Sequence, residues 1–369
     1  MSRARAWLRR ERLLVALAVA APALVIVTGI PAARLPALVD WYTIAALAGL
    51  MVLSRALEDS GSLARAGGWL LARAGDQRRL AAVLVAVSAL LAAVITNDIA
   101  LFVVVPLTLA AGLMTPLPVA RLVVFEALAV NAGSAASPVG NPQNLFLWQH
   151  ADAGFTAFTA TLLPLGLALT AMLLALVPLA FPRAALGAHT PPAAGVDRTL
   201  LSVALAVYPV FLVLVDAGFA LAAALAVIAV IAVTRAGVLA RVDWATLAVF
   251  VLMFLDLALL ARLPGAAAAA RWLLGLPGGA FTAAVAASQG MSNVPATLFL
   301  AAFTDDWGRL AWGANVGGFG LAVGSMANLI ALRLARAPGL WWRFHAWSLP
   351  VLAGAVVIAL VLMRLPGLS

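Results

Sequence analysis

Apolar runs of about 17 to 20 residues recur from one end of the chain to the other, and as helix each is long enough to cross about 30 Å of hydrocarbon. No other feature restricts the fold as strongly. Backbone N–H and C=O groups inside a bilayer have no water to bond, so the chain itself must satisfy them. Apolar residues make up 65% of the 369 and charged residues only 10%, so no segment has the composition of a separate soluble domain. The chain reads as an all-α polytopic membrane protein.

Spans are read at residues 13–30, 37–57, 119–148, 156–182, 199–215, 218–234, 244–262, 307–335 and 346–364. The first lacks a small-residue cleavage site and is long enough to stay as an anchor rather than a removed leader. Two more apolar segments, 79–113 and 273–304, are interrupted by the polar triplets Thr96, Asn97, Asp98 and Ser292, Asn293, Val294. Each is either two full crossings or one re-entrant hairpin, and both choices leave the downstream orientation unchanged. With the interrupted segments taken as hairpins, the architecture is about nine full crossings plus two hairpins.

The net charge of +9 would raise the question of nucleic acid, but all 23 basic residues are Arg and most flank apolar runs. That is a topology signal rather than a phosphate-binding face. With the N-terminus cytoplasmic, the inner segments hold Arg3, Arg5, Arg9, Arg10, Arg12, Arg55, Arg65, Arg73, Arg78, Arg79, Arg121, Arg183, Arg198, Arg235, Arg241, Arg333, Arg336 and Arg343. The outer segments hold Arg34, Arg262, Arg271, Arg309 and Arg364, the asymmetry that cytoplasmic loops show. Trp41, Trp148, Trp244, Trp272, Trp307 and Trp341 fall near the span boundaries, where an amphipathic indole prefers to sit. Cysteine is absent, which excludes disulfides and thiol chemistry.

The chain repeats itself. VDWYT at 39–43 and VDWAT at 242–246 each open an apolar span, and an interrupted segment follows each. Next come NAGSAASPVGNPQNL from Asn131 to Leu145 and NVGGFGLAVGSMANL from Asn315 to Leu329. Aligned without gaps, Asn131, Gly133, Val139, Gly140, Asn144 and Leu145 meet identical residues at 315, 317, 323, 324, 328 and 329. The VDW span is the second crossing in one half and the seventh in the other, an odd difference. The halves, 1–182 and 199–369, are therefore expected to be inverted in the membrane, joined by a Pro- and Gly-rich cytoplasmic linker at 183–198. Inverted repeats with discontinuous helices are a common build of secondary transporters, with substrate and coupling ions held at the repeat interface.

Four polar clusters, at 96–98, 131–144, 292–293 and 315–328, fall at mid-membrane depth, where non-helical backbone is tolerated only inside protein or around a wet cavity. Gly133, Gly140, Gly317 and Gly324 permit a turn, and Pro138 and Pro142 stop a helix. The alternative for each cluster is an ordinary kink or packing contact, or for the triplets a plain turn. Helix breaks present free N–H groups that suit an anion, and carbonyls with Asn and Ser oxygens that suit Na⁺. The candidate binding residues are Thr96, Asn97, Asp98, Asn131, Ser134, Gly140, Asn141, Asn144, Ser292, Asn293, Asn315, Gly324, Ser325 and Asn328, with Na⁺ at Asn97, Asn141, Asn293 and Ser325.

Three acids inside spans are candidates for ion or proton coupling: Asp98, Glu126 and Asp256. Glu126 is alternatively solvated near the inner interface, and Asp256 alternatively buried in a pair. His150, His189 and His345 show no metal-ligand spacing. There is no metalloprotease helix signature, phosphate loop or Ser, His, Asp arrangement, so an enzyme is not expected.

The triplets, followed by N-x-G-S…P-V-G-N-P-Q-N in one half and N-x-G-G…V-G-S-x-x-N in the other, resemble the ion transporter superfamily. That group includes arsenite and NhaD-type Na⁺/H⁺ antiporter families and the divalent anion/Na⁺ symporters, and the G-N-P-Q-N form looks most like bacterial anion permeases and citrate transporter-like proteins. The resemblance covers about residues 40 to 365 and implies a homodimer in the bacterial inner membrane, with a scaffold around a mobile unit that carries the site by an elevator motion. It implies carboxylate and Na⁺ binding at Thr96 and Asn97 with Gly140, Asn141 and Asn144, and at Ser292 and Asn293 with Gly324, Ser325 and Asn328. Asp98 and Val294 depart from the symporter pattern, where a hydroxyl residue stands, and Asp98 looks more like the antiporter branch. The function expected is Na⁺- or H⁺-coupled transport of a small inorganic oxyanion or carboxylate by alternating access, with no cofactor and no nucleic-acid partner. The alternatives are Na⁺/H⁺ antiport, arsenite-type efflux, or a passive channel.

Overall fold

The computed structural model describes residues 12–62, 75–114, 117–186, 195–335 and 337–365, with residues 65, 69 and 73. Arg3, Arg5, Arg9, Arg10, Arg336, His189 and residues 187–194 of the linker lie outside the described residues. The helices are α1 (Arg12–Thr28), α2 (Trp41–Asp59), α3 (Gln77–Ile95), α4 (Asn97–Met114), α5 (Val119–Ser134), α6 (Pro142–His150), α7 (Phe155–Ala180) and α8 (Arg198–Asp216). They continue as α9 (Ala220–Arg235), α10 (Trp244–Leu260), α11 (Pro264–Leu274), α12 (Ala280–Met291), α13 (Asn293–Ala301), α14 (Trp307–Gly317), α15 (Met326–Ala335) and α16 (Leu340–Leu362). Among the described residues there is no strand beyond one isolated bridge, Asp76 to Ala185.

Hydrogen bonds fix two ends of the bundle. At the basic end Arg241 reaches Asp59 at 2.8 Å, Arg235 pairs with Asp197, and Asp197 N–H donates to Ser60 O at 2.9 Å. Arg78 donates to Phe181 O and Pro178 O there, and Arg121 to Ala180 O. At the far end Tyr42 donates to Val215 O at 2.7 Å, and Phe155 N–H to Asp216 Oδ1 at 2.7 Å. Among the described residues five helices are long and apolar enough to cross a membrane, Gln77–Ile95, Phe155–Ala180, Arg198–Asp216, Ala220–Arg241 and Leu340–Leu362, and the bent pairs Leu14–Thr28 with Ala32–Leu38 and Trp244–Leu260 with Pro264–Leu274 bring the number to at most seven. Two of the nine expected spans, 119–148 and 307–335, are broken helices, α5–α6 and α14–α15.

The interrupted segments turn back inside the bundle. α3 starts beside the basic end, where Gln77 N–H bonds Ala184 O, and its tip stops at Gly140, whose carbonyl accepts from Asn97 N–H at 2.8 Å. Beyond that contact α6 runs on for nine residues to the far end, about 14 Å of helix. The tip also meets side chains inside other helices, since Ser54 donates to Ile95 O at 3.1 Å and Tyr208 to Val94 O. The two arms meet at a tip that lies against the first break, and α3 alone is long and apolar enough to cross a membrane. The partner hairpin, α12–α13, is shorter than the apolar run 273–304 that contains it, because a turn occupies residues 275–279, and the residues before that turn fold as α11. Pro264 starts that helix at a position where its missing N–H costs nothing, and α11 turns 93° from α10.

The VDW repeats fold alike at opposite ends. Asp40 caps Tyr42 and Thr43 at 3.1 Å at the far end, and Asp243 caps Thr246 at 3.1 Å at the basic end. Trp41 and Trp244 each donate their indole N–H, at 2.8 Å, to the carbonyl five residues earlier. Each also follows a short 3₁₀ segment, Ala32–Leu38 and Ala236–Arg241. Trp148 departs from the expected interfacial placement, since it is buried against Phe155.

At the centre is α5, buried on every side from Leu122 to Ser134 and apolar there apart from Glu126, Asn131 and Ser134, as a helix surrounded by other helices is expected to be. It packs against α3, α4, α7, α15 and α16. Gly133 permits the tightest of these contacts, because a Cβ there would lie 1.9 Å from Ala89 O. Gly317 does the same for α14 against Ser288 of α12.

Candidate functional site

The hairpin tips share an uncommon backbone. Thr96 has φ 76° and ψ 149°, and Ser292 has φ 71° and ψ 154°, a region that glycine populates almost alone and that costs a residue with a Cβ about 1–3 kcal/mol. Both keep it for the same end. Thr96 O accepts from Ala100 N–H at 3.1 Å and Ser292 O from Ala296 N–H at 3.0 Å, so each strained residue begins the second arm of its hairpin. The four glycines that recur in the two breaks were expected to permit the turn, but none has positive φ. Gly133 and Gly317 instead lie within helices, where their missing side chains permit close approach.

The two breaks, residues 135–141 and 318–325, are joined to each other by side-chain amides. Asn131 Nδ2 donates to Asn328 Oδ1 at 2.8 Å, and Asn315 Nδ2 to Asn144 Oδ1 at 2.7 Å. Ser325 Oγ donates to Asn131 Oδ1 at 3.0 Å, and Asn141 Nδ2 to Asn315 Oδ1 at 2.9 Å. Inside each break, Asn144 donates to Ser134 O at 3.2 Å and Asn328 to Gly318 O at 2.8 Å. Every one of these bonds has its counterpart at positions 184 residues apart (315 − 131 = 184). Asn131, Ser134, Asn141, Asn144, Asn315, Ser325 and Asn328 are all buried, so each amide that lost a partner would carry a desolvation penalty of about 1–3 kcal/mol.

The tips close on this core. Asn97 N–H reaches Gly140, and a Cβ on Gly318 would lie 3.3 Å from Asn293 Nδ2 and 3.4 Å from Asn131 Cγ. Gly324 N–H is bonded to Leu321 O at 2.7 Å within the second break. Of the oxygens assigned to Na⁺, Asn97 Oδ1 accepts from Asp98 N–H at 2.9 Å, Asn141 Oδ1 from Asn144 N–H at 2.9 Å, and the Ser325 hydroxyl donates to Asn131. In this arrangement those groups hold helix starts and the two breaks. Among the described residues, Ser292 Oγ and Asp98 Oδ1 at the tips, and Gln143 Oε1 in the first turn of α6, are buried without a hydrogen-bond partner. Ser292 stands at the start of α13, where no side chain caps the free N–H groups.

Two coupling candidates lie outside this cluster. Glu126 is fully buried on α5 with Thr108 donating to Oε1 and nothing meeting Oε2, so it is not solvated at an interface. Asp256 is buried on α10 with neither oxygen bonded, so it is not paired. The sequence reading missed Gln289, which donates to Gly317 O at 2.7 Å and accepts from Leu321 N–H at 2.7 Å, tying the second hairpin to the second break. Its position one turn before Ser292 is the signal that could have found it. It also missed His345, whose Nε2 accepts from Ala322 N–H at 3.1 Å in the same break. Among the described residues every ion pair lies at helix ends, and no Arg reaches the amide cluster.

The model of the citrate transporter family matches residues 5–306, well over half of the chain. The chain belongs to the citrate transporter family. The chain is 41% identical to the inner membrane protein YbiR of Escherichia coli over 89% of both chains. It is 29% identical to an uncharacterized transporter of Methanocaldococcus jannaschii over 81% of this chain and 82% of the other. A shorter stretch, 35% of this chain and 27% of the other, is 31% identical to a silicon efflux transporter of Oryza sativa subsp. japonica. The protein is a multi-pass membrane transporter.

Proposed function

We propose that the protein is a cation-coupled secondary transporter of small anions, working by alternating access through two inverted repeats, 1–182 and 199–369, joined by the linker at 183–198. The observation that carries this reading is the pair of unpartnered buried oxygens at the hairpin tips. Ser292 Oγ, beside the uncapped N–H groups of α13, provides hydrogen-bonding groups and the positive end of a helix dipole for an anion. Asp98 Oδ1, at the start of α4, provides a negative oxygen for Na⁺ or a proton. The N-terminus and the basic end face the cytoplasm, and the cell membrane is the bacterial inner membrane, as the name of the Escherichia coli relative supports.

A second reading, efflux of a small uncharged hydroxylated solute or Na⁺/H⁺ antiport, is favoured by one observation. No Arg reaches the amide cluster while a carboxylate stands beside it. Neutral amides suit a solute without charge, and one relative is named a silicon efflux transporter.

Both readings are tested in vesicles containing the purified full chain, with an imposed Na⁺ or pH gradient and citrate, arsenate, arsenite, silicic acid or Na⁺ as cargo. Accumulation of one of them against its gradient is the expected result. Passage only down the solute's own gradient would make the protein a channel. The substitution Asp98→Asn is expected to alter the ion or pH dependence, and an unchanged dependence would make Asp98 structural.

A further inference from the structure

We propose that Glu126 is a proton-binding site built between the first hairpin and the central helix, holding its proton in this conformation and releasing it when the hairpin arm and α15 part from α5. The inference rests on the coupled-transport reading and names the coupling species as H⁺. Glu126 is fully buried, and its one partner is the hydroxyl of Thr108, which lies ten residues beyond Asp98 on the second arm of the hairpin. Oε2 meets no donor. α15, from the second half of the chain, packs on both α4 and α5.

The surroundings offer no countercharge. The titratable groups on the elements packed around α5 are Arg78 and Arg79 on α3, Asp98 on α4, Arg333 on α15, Arg343 and His345 on α16, and Arg121 on α5 itself, while α7 has none. Arg78 and Arg121 bind carbonyls at the end of α7, Arg79 pairs with Asp76, and His345 bonds Trp341 and the second break. None of these groups pairs with Glu126 among the described residues. An ionised carboxylate without a partner in such a place is strongly penalised by its lost hydration, so the acid form is the one this packing accepts. Thr108 can donate to either form, and therefore keeps the carboxyl in place while the proton comes and goes. Water reaching Oε2 after the arm moves would let the proton leave. In one cycle a proton binds on one side of the membrane and leaves on the other, with no other change in the side chain.

The experiment has an arm that needs no substrate. Infrared spectra of the full chain in lipid at neutral pH should show the carbonyl stretch of a protonated buried carboxyl, absent from Glu126→Gln; a spectrum in which the substitution removes only a carboxylate band overturns the proposal. In vesicles holding a pH-sensitive dye, adding citrate, arsenite or silicic acid to the wild type should move protons with the cargo. Glu126→Gln keeps the size of the side chain and the bond from Thr108, and should lose the dye signal and the pH-gradient-driven accumulation. Glu126→Asp should keep coupling with a displaced pH profile. Full proton coupling in Glu126→Gln would overturn the proposal, as would wild-type transport driven by Na⁺ alone. A wild type that moves none of these solutes would count against the transport reading, and the infrared band would still decide the proton site.

Discussion

At the residue scale, the amide cluster and the hairpin tips divide two roles that a sequence cannot separate. Asn131 and Asn328 look alike in sequence to Asn97 and Asn293, yet the first pair spends its side chains on the opposite break while the tips carry the unpartnered oxygens. Asn131→Ala would strand Ser325 Oγ and Asn328 Oδ1 in a buried place, so it should cost on the order of 3 kcal/mol. Asn315→Ala should cost a similar amount, because Asn315 holds Asn144 and Asn141 in the mirrored arrangement. Thermal unfolding in detergent measures both, and a clear inequality between them would mean that the two breaks are not equivalent joints. Ser292→Ala removes a hydroxyl with no partner and should leave the unfolding temperature nearly unchanged while weakening the cargo-dependent thermal shift. If stability falls and binding stays, Ser292 is a packing residue.

At the element scale, the all-α polytopic build and the places where helices are interrupted were legible, because apolar length and a duplicated motif are properties of the chain read in a line. What makes the turn at each tip was not. The sequence puts glycine in the breaks, so the strain appeared to belong there, but Thr96 and Ser292 take the positive φ and Gly133 and Gly317 lie in helices. Surrounding contacts decide which residue bends, and those contacts come from segments far away in sequence. α11 escaped for a similar reason: an alanine-rich stretch after Pro264 is helical by propensity but too short to announce a crossing. The glycine contacts predict unequal outcomes. Gly133→Ala would drive a Cβ into the backbone of α3 and should force α5 off its neighbour, costing more than the 1–3 kcal/mol typical of overpacking. Gly317→Ala meets the Ser288 side chain first, a group that can turn aside, so its loss should be smaller. Comparing the unfolding temperatures and the membrane-inserted yields of the two variants checks this order.

At the scale of the whole molecule, two groups of helices meet at the tip of the first hairpin. α2, α8 and α9 pack together, while α3, α4 and α5 pack with α7 and α15, and Ser54 and Tyr208 are the side chains of the first group that hold the tip of the first hairpin. They bond the carbonyls of Ile95 and Val94, which the helix end leaves without intrahelical partners. Sliding of one group along the other must break both bonds, whereas a rocking motion about the tip need not. The chain contains no cysteine, so paired thiols can be introduced without first removing others. Val94→Cys with Tyr208→Cys, bridged by a short bismaleimide, should stop transport while leaving the cargo-dependent thermal shift, because the site is intact but its carrier is fixed. Each single variant should still transport, and Ser54→Ala, which frees the tip from one hydroxyl, should not slow it. If the bridged protein transports at the unbridged rate, the tip does not travel relative to α8, and alternating access must come from the second hairpin and the break that Gln289 ties to it.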